Sequence, residues 1–426
     1  MGQEKIVCMR CEDELEPGRY RCRCGALGEV RHPLETLDGE ALLASFQGRR
    51  GAKTGVEASG VWRFRELIMP RVKMHQIVTR REGNTRIYRP PALVKYLGLG
   101  KLSIKHEGEN PTGSFKDRGM TVGVTRAIHE GARAIACAST GNTSASLAAY
   151  GAAAGLPAVV FVPAGKVARG KLAQTIAYGA KVVEIDGNFD DAMSMVVKVC
   201  RELDMFLLNS VNPWRIEGQK SIIFELLDDL DWQVPDWIVF PAGNLGNTSA
   251  FGKALRELYE LQLIERMPKL VAVQAAGASP FAKFFQERQE NPRAELLVDA
   301  NPETVATAIR IGNPQSWEKA IREINATKGL VLSVTDEEIM AAKRQVDRAG
   351  IGCEPASAAS IAGIRQLMDR GVMSGQDHAV AILTGHFLKD VETTLNWHEK
   401  NETGTNRIRV AADFDAIAKA LDKGLS

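Results

Sequence analysis

The sequence predicts an α/β fold in which open parallel sheets are covered by helices and preceded by a short cysteine-rich segment. Three observations lead there. From about Val61 onward, short strand-like runs such as 158–162, 181–185 and 379–383 alternate with helical patterns, and apolar strands separated by helices belong in parallel sheets covered on both faces. Three of the apolar runs, ending near Ala138, Phe240 and Leu383, lead into polar loops, and ligands of such sheets sit at the carboxyl ends of strands. Four cysteines, Cys8, Cys11, Cys22 and Cys24, crowd the amino-terminal end.

The N-terminal element comes first. The spacing C-x2-C-x10-C-x-C suits a tetrahedral thiolate site for a structural zinc, although the last pair is one residue short of the ideal C-x2-C. Four reduced thiols in a turn-rich segment remain an alternative. Disulfides fit less well, because Met1-Gly2-Gln3-Glu4-Lys5-Ile6 carries no charged start followed by an apolar stretch and therefore reads as no export signal. A cytoplasmic protein is expected. A DNA-binding ribbon is disfavoured because Arg10, Arg19, Arg21 and Arg23 are offset by Glu12, Asp13, Glu14 and Glu16. Residues 1–35 are assigned to this four-cysteine knuckle and 36–60 to a linker, with 48–55 reading as flexible. Cys137, Cys200 and Cys353 lie in apolar segments and read as core.

Composition narrows the partners. The chain has 426 residues, enough for two or three domains with sizeable cores. Its 54 basic and 52 acidic residues leave a net charge of +2, which argues against a nucleic-acid partner. No apolar run approaches the length of a membrane span, so no membrane partner is expected.

The most informative stretch is Asn110-Pro111-Thr112-Gly113-Ser114-Phe115-Lys116-Asp117-Arg118. Residues 102–105 alternate like a strand end and 119–130 have helical spacing. Lys116 therefore starts a helix, where a cation is electrostatically unwelcome. A solvated first-turn lysine competes with an amine aimed into a cleft, able to form a Schiff base with an aldehyde cofactor. Two loops favour the second reading. Ser139-Thr140-Gly141-Asn142-Thr143-Ser144 follows the apolar run 132–138. Pro241-Ala242-Gly243-Asn244-Leu245-Gly246-Asn247-Thr248-Ser249 follows 237–240. Each opens a helix and offers backbone N–H groups to an anion. Neither is a GxGxxG fingerprint or a P-loop. Two anion cups and a helix-start lysine call for a cofactor bearing a phosphate and an aldehyde, and pyridoxal phosphate meets that description.

In order from Cys8 to Asp390, the chain resembles the threonine synthases, of the pyridoxal-phosphate family that shares the tryptophan-synthase β-subunit fold. The matching pieces are Glu82-Gly83-Asn84-Thr85, 110–118, 139–146, Asn209-Ser210-Val211-Asn212-Pro213, Arg215-Ile216-Glu217-Gly218-Gln219-Lys220, 243–247, Ile311-Gly312-Asn313-Pro314, Glu354-Pro355-Ala356-Ser357 and Thr384-Gly385-His386-Phe387-Leu388-Lys389-Asp390. Arg86 departs from a usual proline and Phe387 from a usual glycine, close to the expected cofactor ring. Gln315 and Trp317 fall where members vary.

The resemblance implies two parallel-sheet α/β domains flanking a cofactor cleft: a large one from 61–131 and 212–400, and a small mobile one from 132–211. A tail with an amphipathic pattern at Phe414, Ile417, Ala418 and Leu421 follows over 401–426. It implies Lys116 as the catalytic, cofactor-bearing lysine and Gly243, Asn244, Leu245, Gly246 and Asn247 as the cofactor-phosphate cup. Asn142 and Thr384 would meet the cofactor ring. Ser139, Thr140 and Thr143 would bind the substrate carboxylate, and Arg215, with Asn209 and Ser210, a distal phosphate. Asp117 and Arg118 are expected to fix the helix start by ion pairing. The expected reaction converts O-phospho-L-homoserine and water to L-threonine and phosphate. The partner is then a small-molecule amino acid, with a homodimer left open. Two alternatives stand beside it. One is another lyase or synthase of this fold, such as a serine/threonine dehydratase or a cysteate synthase. The other is a cofactor-holding regulatory protein, against which the set Lys116, Asn142, Arg215 and Thr384 argues.

Overall fold

The structure is a computed structural model that describes residues 4–16, 18–165, 169–187, 189–401 and 409–425. Parts of the expected knuckle, small domain and tail (1–3, 17, 166–168, 188, 402–408 and 426) lie outside the described residues. In chain order the strands are β1 Lys5–Cys8, β2 Gly28–Arg31, β3 Ile87–Tyr88, β4 Lys101–His106, β5 Ile135–Ala138, β6 Ala158–Pro163, β7 Lys181–Ile185, β8 Phe206–Leu207, β9 Trp237–Pro241, β10 Lys269–Ala275, β11 Leu330–Val334 and β12 His378–Leu383.

They form three sheets. β1 and β2 pair antiparallel in the knuckle. Six strands run in the order β11-β10-β9-β12-β4-β3, parallel throughout except for the β3–β4 edge. Four more run β7-β6-β5-β8, all parallel. The central strand β9 shows why its sequence is apolar without alternation. Ile238 and Phe240 enter one core, Trp237 and Val239 the core on the opposite face, so the period-two side-chain pattern meets helices on both sides. The four-stranded sheet has its own core, which includes Met120 and Val124 of helix Lys116–His129 and Leu147 and Tyr150 of helix Asn142–Ala154.

Two stretches differ from the expectation. Residues 36–60 carry helix Gly39–Arg49, whose first turn is capped where Asp38 accepts from the Ala41 N–H at 3.0 Å. Its Leu42 and Phe46 are buried, and Phe46 meets Phe64 edge-on at 4.9 Å. The glycines at 48–55 suggested a linker, but the apolar residues ahead of them have a core to enter. At the other end, Met1–Lys389 form one compact unit and Asp390–Ser426 a second, a division ahead of the expected 400/401 boundary. The second unit contains helices Val391–Asn401 and Phe414–Leu425. Among the described residues no helix is long and apolar enough to cross a membrane.

A buried ion network holds the central elements together. Arg118, fully buried, makes a bidentate contact with Glu107 (2.6 and 2.7 Å) and further bonds to Glu225 (2.8 and 3.2 Å). Lys105 at the end of β4 adds 2.7 Å to Glu225 and 2.8 Å to Asp229. The Asn84 and Thr85 N–H groups also donate to Glu225. Burial works to raise the Glu225 carboxyl, but Arg118 and Lys105 hold it well below the usual carboxylate range. Helices Lys116–His129 and Pro213–Asp229 cross backbone to backbone here: a Cβ on Gly218 would lie 1.9 Å from the Arg118 carbonyl oxygen. Arg118→Ala should leave two buried carboxylates short of a partner and cost about 3–5 kcal/mol. Urea unfolding of the variant measures this, and a loss under about 1 kcal/mol, as for an exposed pair, would contradict it.

Candidate active site

Three loops meet at the carboxyl end of the larger sheet, each following a parallel strand. The loop after β4 ends in Lys116, the first residue of its helix. It is stitched to the loop after β12: the Phe115 N–H donates to the Thr384 carbonyl at 3.0 Å and the His386 N–H to the Gly113 carbonyl at 2.9 Å. The third loop, after β9, opens helix Gly246–Glu260 through Leu245 in the left-handed conformation (φ 64°).

The Lys116 amine lies 4.0 Å from the centroid of the Phe115 ring. Burial, with a further push from the nearby Arg215 guanidinium, brings it down to about 7, against the opposing pull of Glu354. Half of such amines are unprotonated near neutral pH, where an ordinary lysine is a cation.

Arg215 is 2 % exposed. Its Nη1 donates to the Leu208 carbonyl at 3.2 Å, its Nε has no partner, and no ion pair to it is found among the described residues. Burial lowers it to about 10. A buried guanidinium without a carboxylate is costly, and binding an anion relieves that cost.

Asn142 begins helix Asn142–Ala154 and donates to Glu354 at 3.0 Å. Thr384 lies 3.0 Å from the Ser357 hydroxyl and 3.5 Å from the other Glu354 oxygen. Glu354 thus joins the two residues expected at a cofactor ring, a position that sequence reasoning missed although Glu354-Pro355-Ala356-Ser357 was a matching piece. Ser139, Thr140 and Thr143 are half-buried beside Asn142. Ser210 is half-buried as well. Asn209, expected to bind substrate, accepts from the Ala138 N–H at 2.9 Å and donates to the Ala138 carbonyl at 3.0 Å. It fixes the end of β5, from which Ser139 and Thr140 follow.

Asp117 makes no ion pair among the described residues, contrary to expectation. It accepts from the Thr112 N–H (2.7 Å), the Thr112 hydroxyl (2.6 Å) and the Ser146 hydroxyl (2.6 Å). Burial raises its carboxyl to about 6 against those bonds. Lys389 is a second residue the sequence did not single out. Burial lowers its amine, Glu354 and Asp117 are its neighbouring charges, and it bonds to Gln174 on helix Arg169–Ala177 of the smaller sheet. Phe387, expected near the cofactor ring, is 41 % exposed and packs on Gly352 and His386. Arg86 is exposed and pairs with Glu109 at 3.7 Å.

The residues present fit a phosphorylated cofactor. Helices Asn142–Ala154 and Gly246–Glu260 both start without a side-chain cap, which leaves first-turn N–H groups for an anion. Asn247 Oδ1 and Thr248 Oγ1 are buried without a partner in the second of these first turns. A Cβ on Gly243 would come within 3.2 Å of the Ile309 backbone, so the cup has no room for a side chain there.

In the knuckle, Cys8 and Cys24 sulfurs are 3.4 Å apart, Cys11 and Cys22 3.5 Å, and Cys11 and Cys24 3.8 Å. The four sulfurs lie within 4.8 Å of one another. Tetrahedral thiolates around zinc, with bonds of about 2.3 Å, stand about 3.8 Å apart, and a disulfide is far shorter at about 2 Å. The Arg10 and Cys11 N–H groups donate to the Cys8 sulfur. This donor set fits a zinc ion.

A model of the pyridoxal-phosphate dependent enzyme family matches residues 78–385. A threonine synthase of Methanosarcina acetivorans is 49 % identical over 420 residues, covering 98 % of each chain. One from Methanocaldococcus jannaschii is 43 % identical over 417 residues, covering 97 % of this chain and 98 % of that one. Among solved structures, maize serine racemase superposes with a TM-score of 0.64 over 82 % of this chain and 98 % of its own, at 19 % identity; that likeness shows the fold.

The depressed amine can be read directly. In cofactor-free protein, modification of Lys116 by a small acylating reagent, followed by peptide mass spectrometry, should rise with a midpoint near pH 7. Its reactive neutral form is lost as pH falls through that value. A midpoint near 10, as for a solvated lysine, would overturn the desolvated geometry.

Proposed function

Because the chain belongs to the threonine synthases within the pyridoxal-phosphate dependent enzyme family, we propose that it converts O-phospho-L-homoserine and water to L-threonine and phosphate. It is a pyridoxal-phosphate-dependent lyase. The observation that carries the substrate reading is Arg215: a buried cation with no carboxylate partner among the described residues, close enough to Lys116 to lower its amine. A substrate whose reacting carbons lie at Lys116 and whose far end carries a phosphate satisfies both.

The bound cofactor supplies an electron sink for charge developing at the substrate's α- and β-carbons. This chain's own residues supply the rest. Lys116 holds the cofactor and then moves protons at Cα and Cβ, and an amine near 7 can both accept and return them. The 243–247 cup, with the uncapped helix start behind it, holds the cofactor phosphate. Asn142 and Thr384 orient the ring, and Glu354 orients Asn142 and Thr384. A hydroxyl at Thr384 does not force a proton onto the ring nitrogen, which suits elimination and replacement. Ser139, Thr140 and Thr143 bind the substrate carboxylate, while Ser210 and Arg215 take its phosphate. Asn209 positions Ser139 through Ala138.

The smaller sheet, with 132–211 as its span, closes on the substrate to exclude water. The Lys389–Gln174 bond between the two sheets supports that reading. A zinc in the knuckle is the structural metal. Cys137, Cys200 and Cys353 are buried thiols outside the zinc set, and thiolate ligation in the knuckle in place of disulfides suits a reducing compartment and supports a cytoplasmic location.

Arg215→Ala should lower kcat/KM for phosphohomoserine by roughly 30- to 1000-fold, as loss of a desolvated charge-assisted contact worth about 2–4 kcal/mol. Slow side reactions on serine should hardly change, and the bound-cofactor absorbance should survive. Equal losses on phosphorylated and unphosphorylated substrates would make Arg215 structural. For the knuckle, metal analysis of protein purified without chelator should find one zinc per chain, lost in Cys8→Ser. Wild-type protein without zinc would refute the metal assignment.

A further inference from the structure

A short chain of contacts joins the knuckle to the cup. Arg21 spans two elements: Nη1 donates to the Gly25 carbonyl within the knuckle at 2.8 Å, and Nη2 donates to Gln315 Oε1 at 2.6 Å. The Gln315 N–H in turn donates to the Asn244 side-chain oxygen, and the Ser316 N–H to the Asn244 carbonyl, each at 3.3 Å. Asn244 is therefore held on its side chain by Gln315, which the knuckle grips, and on its backbone by the adjacent Ser316. The same segment is clamped just downstream. Lys319 donates to the Gly28 carbonyl at 2.5 Å, and Arg322 takes Glu29 with two bonds, 3.1 and 2.6 Å. Arg10 pairs with Glu318. Ser316 and Lys319 are buried. Upstream, Ile309 and Ile311 lie against Gly243.

The segment around 309–316 thus has the cup on one side and the knuckle on the other. It has no regular structure of its own between a short helical turn at Thr307–Ile309 and the helix from Trp317. Its position is set by what it touches. A knuckle that served only as a staple for the chain end needs no contact with Gln315.

We propose that the knuckle positions the cofactor-phosphate cup, with Arg21 acting through Gln315 on Asn244. Arg21 is a positioning residue, since it touches neither cofactor nor substrate. The proposal rests on the reading of 243–247 as the site of the cofactor phosphate. Its effect falls on how tightly the cofactor is held, because the phosphate anchors it through that cup.

The test compares full-length wild type with Arg21→Ala, Gln315→Ala, the double variant and Arg10→Ala. Each is stripped of cofactor and titrated with pyridoxal phosphate by absorbance, with bound metal and thermal midpoint measured in parallel. Arg21→Ala and Gln315→Ala should each weaken cofactor binding by about 2- to 10-fold, the range of one hydrogen bond. The double variant should lose no more than either single one, since both remove the same contact. Metal content should stay at the wild-type level. Arg10→Ala, which removes the Glu318 pair at the same interface, should bind the cofactor as wild type does. Unchanged affinity in both Arg21→Ala and Gln315→Ala, multiplied losses in the double variant, or an equal loss in Arg10→Ala would overturn the relay. Wild type that takes up no pyridoxal phosphate would instead overturn the cup reading on which it rests.

Discussion

The buried guanidinium of Arg118 is the constraint on which the cleft depends. It follows Lys116 by two residues, and its partners arrive from elsewhere: Glu107 from the end of β4 and Glu225 from helix Pro213–Asp229. Two carboxylates, Lys105 and a fully donated guanidinium leave no charge there without a partner. A buried ion pair adds little to stability against an apolar replacement, but it is unforgiving of position. A shift of the Lys116 helix along its neighbour would break several bonds at once. The lysine is thereby held by electrostatics made outside the reacting space.

Arg215 lies in the first turn of the same neighbouring helix and has the opposite character. Burial is similar for both arginines, yet Arg118 is held above its ordinary value by Glu107 and Glu225 while Arg215 is pulled down to about 10. One positive charge is neutralised by the fold and the other is left for something that arrives. The same uncompensated charge adds to burial in lowering Lys116, so one guanidinium without an ion pair among the described residues also bears on the neighbouring amine.

Much of this was legible in the sequence, for physical reasons that can be named. Strands such as β9 and β12 are nearly continuous apolar runs, because burial on both faces forces that composition, and the loops after β4, β5 and β9 announce themselves by glycine, asparagine and hydroxyl side chains. Helix Gly39–Arg49 was hidden because its apolar residues are few and glycines follow them; its stability comes from Phe64 and the core it enters. The roles of Glu354, Lys389 and Asp117 could not be read, since each depends on partners more than twenty residues away: Asn142 and Thr384, Gln174, and Ser146. The bonds of Asn209 to Ala138 could not be read for a related reason, since that partner lies far away in the sequence.

The contact at Gly218 has a further consequence. Because the two helices touch through backbone, with the Arg118 carbonyl where a Cβ would stand, the span from Lys116 to Arg215 is not adjustable by side-chain rotation in the crossing itself. Under the function proposed above, the pair works as a ruler: a substrate would be measured between the carbon that meets the amine and the anion that meets the guanidinium. Selection by length would then be a property of how two main chains pack, written into a residue that never meets the molecule being measured.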